Sequence, residues 1–208
     1  MTDYVLVGGG GLARELLDWF APGLQGSGSG FVGYLDDGED PMAAFGHRLP
    51  QLGSIRDYRP SDGQQLVMAI GAPAGKAAVA QRLKAAGAVF ATLIHPTAWV
   101  SASARIGSGV VIGPFAHASA DAEVGELVLQ GAYAGVGHDA VVGAGSSLSG
   151  YVDLMGGVKS GQGCMFGSGA HVLPRVSIGE RCTIGAGAVV VRNVPDGATV
   201  YAQPARSL

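Results

Sequence analysis

VGHDAV VGAGSS LSGYVD LMGGVK SGQGCM FGSGAH VLPRVS IGERCT IGAGAV: residues 136–189 fall into sixes without an insertion or a slip, and the same register runs from Ile94 to Pro195. Seventeen frames result. Fourteen of their first positions are bulky and apolar, from Ile94, Val100 and Ile106 to Ile178, Ile184 and Val190; the exceptions are Ala118, Gln130 and Ser160. The fifth position is smaller still, as in Ala98, Ala104, Ala134, Ala140, Cys164 and Ala188. An α-helix repeats its apolar stripe about every 3.6 residues, so a period of six excludes one. A parallel β-helix has that period: each short strand turns one aliphatic residue inward, and a second, small residue follows near the corner. Glycine at the second position, including Gly107, Gly137 and Gly161, suits a corner too crowded for a Cβ. Three frames make one triangular coil, so the segment predicts five to six coils stacked at about 4.8 Å.

Upstream the rhythm changes. Tyr4-Val5-Leu6-Val7 reads as a buried strand, followed by Gly8-Gly9-Gly10-Gly11 and helical spacing over Leu12 to Phe20. Phe31 to Leu35 is a second strand, ending on Asp36-Asp37; Leu66 to Ile70 is a third, and Ala74 to Ala86 a second helix. Val89 to Leu93 then leads into the first frame. The order predicts a small α/β unit with a parallel sheet over residues 1–93, a β-helix over 94–195, and a tail over 196–208. Gly8-x-Gly10-x-x-Ala13 matches the dinucleotide fingerprint, with Asp36 placed as a ribose-binding carboxylate would be. The unit is half the length of a full dinucleotide domain. A mononucleotide-sized, Rossmann-like half is one reading of the glycines; a tight strand-to-helix turn with no ligand is the other.

Composition narrows the classes. The chain has 208 residues and a net charge of −3, and its Lys and Arg are scattered, which speaks against a nucleic-acid surface. Mean hydropathy is +0.31, yet the apolar residues alternate with Gly and Ser, so no membrane span is expected. The first ten residues lack a basic start and a cleavage site, making cytoplasm the expected location. Cys164 and Cys182 are both at the small inward position, eighteen residues apart, and read as stacked buried thiols. His117 and His171 lie three coils apart, too far to share a metal, and no metal site is expected.

Six pieces carry a resemblance: Val7 to Glu15, Gly33-Tyr34-Leu35-Asp36-Asp37, Ala69-Ile70-Gly71, Leu93-Ile94-His95-Pro96, Val136-Gly137-His138-Asp139 and Gln203-Pro204-Ala205-Arg206. With them the chain resembles, over nearly its whole length, the sugar O-acyltransferase family. That family contains sialic acid O-acetyltransferases and the nucleotide-sugar N-acetyltransferases of bacillosamine and perosamine synthesis. The resemblance implies a left-handed β-helix, a homotrimer, a nucleotide-linked amino sugar on the front unit, and acetyl-CoA in a groove between neighbouring β-helices. It implies His138 as general base with Asp139 beside it. Gly156, Ser168 and Ala186 would line the CoA groove down one face. Gly8, Gly10, Gly11, Asp36, Asp37, Gly71 and Ala72 would form the nucleotide edge. Three positions depart from the pattern: Leu12 stands where most relatives have His, Ala72-Pro73 where a polar residue is common, and Ser147 where a second His is frequent.

Acetyl transfer from a thioester to an amine needs a proton acceptor and a donor to the developing oxyanion. A neutral imidazole suits the first task, a neighbouring carboxylate can fix its tautomer, and the Gly156 N–H, one coil further on, is the expected donor. The leading expectation is therefore an acetyl-CoA-dependent N-acetyltransferase acting on the 4-amino group of a nucleotide-linked amino-dideoxy sugar. The alternatives are a sugar O-acetyltransferase and a non-catalytic nucleotide-binding trimer. A γ-type carbonic anhydrase would need a close pair of zinc-binding histidines that the sequence lacks.

Overall fold

The structure, a computed structural model, describes residues 2–203, so Pro204-Ala205-Arg206 lies outside the described residues. In the front unit, strand β1 (Asp3–Val7) leads through the glycine turn into helix α1 (Gly11–Leu24), then strand β2 (Gly30–Leu35). Strands β3 (Gln51–Gly53) and β4 (Gln64–Met68) and helix α2 (Pro73–Ala85) complete it. The four strands form one parallel sheet in the order β3-β2-β1-β4. Successive side chains of β1 point to opposite sides of that sheet, and each side has its own helix. Leu6 packs with Ala13, Leu16 and Phe20 of α1; Val5 and Val7 pack with Ala80 and Leu83 of α2.

Three elements differ from the sequence-based expectation. The third anticipated strand begins and ends two residues earlier, and β3 was not anticipated: three residues with an exposed Leu52 offer no alternation to read. The run from Val89 to Leu93 is not a strand of the front sheet. Phe90 makes one isolated bridge to Leu66, while Leu93 already opens the β-helix.

From Leu93 onward two-residue strands fall into three parallel sheets of seven, six and five strands. The seven-stranded sheet runs from Leu93–Ile94 to Thr199–Val200, the six-stranded from Trp99–Val100 to Val189–Val190, the five-stranded from Arg105–Ile106 to Ser177–Ile178. The chain visits them in turn, so they are the three faces of a prism. Pairing joins residues one coil apart, as Val136 with Ala118 on one side and Leu154 on the other. First and fifth frame positions fill the interior, where Ile112, Val136, Leu148, Leu154, Phe166 and Ile184 are fully buried. Burying an aliphatic or aromatic side chain of this size contributes about 1.5–3 kcal/mol. The polar exceptions are partly satisfied locally: Gln130 Nε2 donates to the carbonyls of His117 and Ala134 while its Oε1 is buried without a partner among the described residues, and Ser160 Oγ donates to the carbonyl of Gly161.

Corner crowding is real at the second frame position, where a Cβ on Gly137 would lie 2.7 Å from the Gly156 nitrogen. The left-handed conformation falls two residues later, at the fourth position. There Phe115, Tyr133, Asp139, Tyr151 and Arg175 all have φ near +60°. The front unit rests on the seven-stranded face: Leu93 and Val111 join the α1 cluster and Leu127 joins the α2 cluster. The Cys164 and Cys182 thiols are free, buried and stacked, with the Cys182 N–H donating to Cys164 Sγ at 3.4 Å. Among the described residues no helix is long and apolar enough to cross a membrane.

Candidate active site

The frame Val136 to Val141 presents His138 at the edge between the six-stranded and five-stranded faces. Val136 and Ala140 are buried anchors on either side of it. His138 and Asp139 side chains are 71 % and 66 % exposed, so a ligand can reach both. Asp139 Oδ2 lies 2.7 Å from His138 Nδ1. A carboxylate only accepts, so the shared proton belongs to Nδ1 and the neutral ring carries its lone pair on Nε2. That nitrogen lies over Gly156, the residue one coil along at the same corner, where a Cβ would collide with it. Gly156 is thus a glycine because the imidazole occupies its side-chain space. Its carbonyl accepts from the Arg175 N–H at 3.0 Å, while among the described residues its own N–H donates to no protein group. Lys159 Nζ donates to the Asp139 carbonyl at 2.9 Å, adding a positive charge beside the pair.

Ser168 and Ala186 stand elsewhere. They are third-position residues stacked one coil apart on the edge between the seven-stranded and six-stranded faces. Both edges bound the six-stranded face, so Gly156 lies on one margin of that face and Ser168 and Ala186 on the other. The step from Gly156 to Ser168 is two frames, which carries the chain past one edge to another. The edge of Ser168 also carries a column of exposed rings not anticipated from the sequence. Phe115, Tyr133 and Tyr151 stack with centroids 5.0 and 4.8 Å apart, and Gly169 and Gly187 continue the column with open space above them. The eighteen-residue spacing of the three aromatics was the available signal.

In the front unit, Gly8 adopts φ +107°, which favours glycine; Gly10 has open space where a Cβ would be, and a Cβ on Gly11 would make ordinary contact with the Arg14 guanidinium at 3.7 Å. Gly10 caps α1 with no side-chain hydrogen bond. Gly9, absent from the anticipated site, is the packing glycine: a Cβ there would lie 2.6 Å from the Tyr34 ring. Asp36 is committed to the turn, accepting from the N–H groups of Gly9 at 2.7 Å and Gly38 at 2.8 Å; Asp37 accepts from that of Arg56. Burial and Asp40 push the Tyr34 phenol up to about 12.

Gly71, Leu12 and Glu15 meet Ser149, Gly150 and Ser168 across a crevice of about 320 Å³ between the front unit and the β-helix. The structure thus brings together Gly71 and Ser168, anticipated for different ligands, while Ala72 begins α2 as its N-cap. Leu12 closes one wall, 3.8 Å from the Cβ position of Gly71. His138 is not on this crevice. The crevice borders the seven-stranded face, and His138 lies on the edge opposite that face. Of the other histidines, His171 Nδ1 is 4.0 Å from Asp153 Oδ2 on the six-stranded face.

Comparison with known proteins gives a consistent picture. The profile of the family described as Bacterial transferase hexapeptide (six repeats) matches residues 161–192. No curated protein sequence matches the chain. Among solved structures, PerB from Caulobacter crescentus, in complex with CoA and GDP-perosamine, is 30% identical over 99% of this chain and 97% of its own, with a TM-score of 0.84. The acetyltransferase domain of PglB from Neisseria gonorrhoeae is 28% identical over 100% of both chains, with a TM-score of 0.85. WeeI from Acinetobacter baumannii, 21% identical over 100% of both chains with a TM-score of 0.83, shares the fold.

Proposed function

The chain belongs to the hexapeptide-repeat sugar acyltransferases, built on a left-handed parallel β-helix, and we propose that it acetylates the 4-amino group of a nucleotide-linked amino-dideoxy sugar with acetyl-CoA as donor. The observation that carries the reading is the His138–Asp139 pair at 2.7 Å, with Nε2 free over Gly156. The likeness to PerB, solved with CoA and GDP-perosamine, and to the PglB acetyltransferase domain supports the choice of donor and acceptor.

In the mechanism, the neutral amine attacks the thioester carbonyl carbon and its proton passes to His138 Nε2. Asp139 holds Nδ1 and stabilises the imidazolium that forms. The Gly156 N–H donates to the developing oxyanion. As the intermediate collapses, the carbon–sulfur bond breaks and His138 returns its proton to the departing thiolate. No covalent acyl-enzyme is needed.

Residues 1–93, read as a Rossmann-like half, hold the nucleotide, with Gly8, Gly10, Gly11, Asp37, Gly71 and Ala72 at its edge. Asp36 acts there by fixing the Gly9 turn. Residues 94–195 supply the base, with Ser168 and Ala186 in the CoA groove. Since the crevice and His138 lie on opposite sides of one β-helix, the acceptor held by one protomer meets the His138 of the next, which calls for the homotrimer.

Thiol release from acetyl-CoA, followed against UDP-, dTDP- and GDP-linked 4-amino-4,6-dideoxy sugars, tests the reading. Turnover with one acceptor that vanishes in His138→Ala is expected. Turnover of hydroxyl acceptors alone would replace N-acetylation by O-acetylation, and failure to bind acetyl-CoA would sink the proposal.

A further inference from the structure

Lys76, on α2, is the one fully buried charged side chain among the described residues, and no carboxylate accompanies it. Its three N–H bonds go to three oxygens of the β-helix: the carbonyls of Leu127 and Ser146, each at 3.1 Å, and Ser147 Oγ at 2.7 Å. Three donors meet three acceptors, so the ammonium is satisfied without a counter-charge. A hydroxyl that accepts from an ammonium still has a proton to give, and Ser147 Oγ donates it to the carbonyl of Gly71 at 2.7 Å. A relay results, from Lys76 through Ser147 to Gly71, closed on itself because Gly71 and Lys76 are joined by the first turn of α2.

No local side chain would otherwise fix that turn, whose one backbone bond here runs from the Lys76 N–H to the Ala72 carbonyl. The N-cap of α2 is Ala72, with no side-chain hydrogen bond, and Pro73 follows it. The relay also occupies a particular place. Gly71 and Ser147 both line the crevice described above, and on the far side of the relay Pro73, Ala77, Gly145 and Gly163 border a second hollow of about 430 Å³. Met165 reaches both. The relay is therefore the wall between two hollows, and it sets how far the Gly71 turn stands from the β-helix. Burying an unpaired ammonium costs several kcal/mol, a cost that a surface-exposed lysine would avoid.

We propose that Lys76 and Ser147 are positioning residues for the sugar acceptor: they hold the Gly71–Ala72 turn at a fixed height over the β-helix, so that the crevice fits its ligand. The assignment rests on the reading that this crevice takes the nucleotide sugar. It gives the serine at position 147 a task of its own, joining the two units of the chain.

The test compares Ser147→Ala, Ser147→Thr and Lys76→Met in the full, assembled protein. Amide hydrogen exchange over residues 69–76 reports the turn directly. Exchange there is expected to rise about tenfold in Ser147→Ala and Lys76→Met, the range a lost buried hydrogen bond produces, and to return to the parent level in Ser147→Thr. With the 4-amino-4,6-dideoxy sugar nucleotide that the parent turns over, KM for the sugar should rise about tenfold in Ser147→Ala, and Thr should restore it. KM for acetyl-CoA and kcat should stay within about twofold of the parent, because neither variant touches His138. Unchanged exchange and unchanged sugar KM in Ser147→Ala overturn the proposal. So does an equal loss in both KM values and kcat that Thr does not rescue, since that is a general structural defect. Should Lys76→Met fail to fold, the serine pair decides alone. Should the parent turn over no nucleotide sugar, the functional reading fails by itself, and exchange in Ser147→Ala still upholds or overturns the relay as the element that fixes the turn.

Discussion

The imidazole of His138 occupies the side-chain space of Gly156, one coil along the same edge. A methyl group at Gly156 would meet the far end of a side chain that is 71 % exposed, so the ring can swing into solvent and leave the backbone undisturbed. Gly156→Ala should therefore lower kcat by about 100-fold, the lower end of what a positioned general base contributes, while the melting temperature moves by no more than about 2–4 °C. In a double variant with His138→Ala the second substitution should add almost nothing, because both remove the same proton acceptor. Steady-state kinetics beside a thermal melt checks this; full additivity would show that Gly156 acts independently of the ring.

Asp139 is the next residue to vary. Its φ of +58° lies in the left-handed region, which Asp and Asn tolerate better than most residues, so Asp139→Asn should leave the corner intact. The amide can donate where the carboxylate could only accept, and it removes the reason for the proton to stay on Nδ1. The pair is exposed, and solvent can replace part of the lost interaction, so the expected fall in kcat is about tenfold, well short of the loss on removing the base itself. Steady-state kinetics checks this, and an unchanged kcat would leave Asp139 as a corner residue only.

How far the sequence could be read follows from where the constraints are local. The six-residue period from Ile94 to Pro195 is a one-dimensional pattern, and the strand register and the inward, stacked Cys164 and Cys182 follow from it directly. The helices at Gly11–Leu24 and Pro73–Ala85 were legible from apolar spacing and the glycine turn. What escaped depends on contacts between segments distant in sequence. Ser147 reads as a missing histidine until Gly71 and Lys76, 76 and 71 residues away, are placed against it. Gly9 looks interchangeable with its neighbours until the Tyr34 ring lies on it. Two-thirds of a coil separates Gly156 from Ser168, and the edge each occupies becomes clear only when the prism is closed.

Phe166 tests the interior. It is fully buried, and the residues across the corner from it, Cys164 and Ala170, are small, so the ring fills a layer that its neighbours cannot. Phe166→Ala should cost about 3–5 kcal/mol, the transfer loss plus an unfilled cavity, read from the shift in a urea unfolding midpoint at fixed protomer concentration. Gln130→Ala, by contrast, removes two hydrogen bonds to the His117 and Ala134 carbonyls as well as bulk. Comparison of the two variants separates packing from the satisfaction of buried carbonyls.

Lys76 makes stability depend on pH in a direction opposite to that of a surface lysine in an ion pair. Burial lowers its pKa from 10.5 to about 7 in the folded chain, while the unfolded chain keeps the ordinary value. Between those two pH values the unfolded state binds more protons, so the free energy of unfolding rises with pH. Below about 7 both states are protonated and the contribution of this residue to the slope vanishes. Within the window a single proton gives a slope approaching about 1.4 kcal/mol per pH unit. Other groups titrate in the same range, so the quantity to compare is the difference between the parent and Lys76→Met. Urea unfolding from pH 7 to 9.5 should show the parent gaining stability relative to the variant. The upper limit keeps clear of Tyr34, whose raised pKa would begin to destabilise the fold above pH 10. Parallel curves would mean that the three oxygen acceptors hold the ammonium charged throughout, whereas the expected divergence means that above about pH 7 the relay is held by the neutral amine with its two remaining N–H donors.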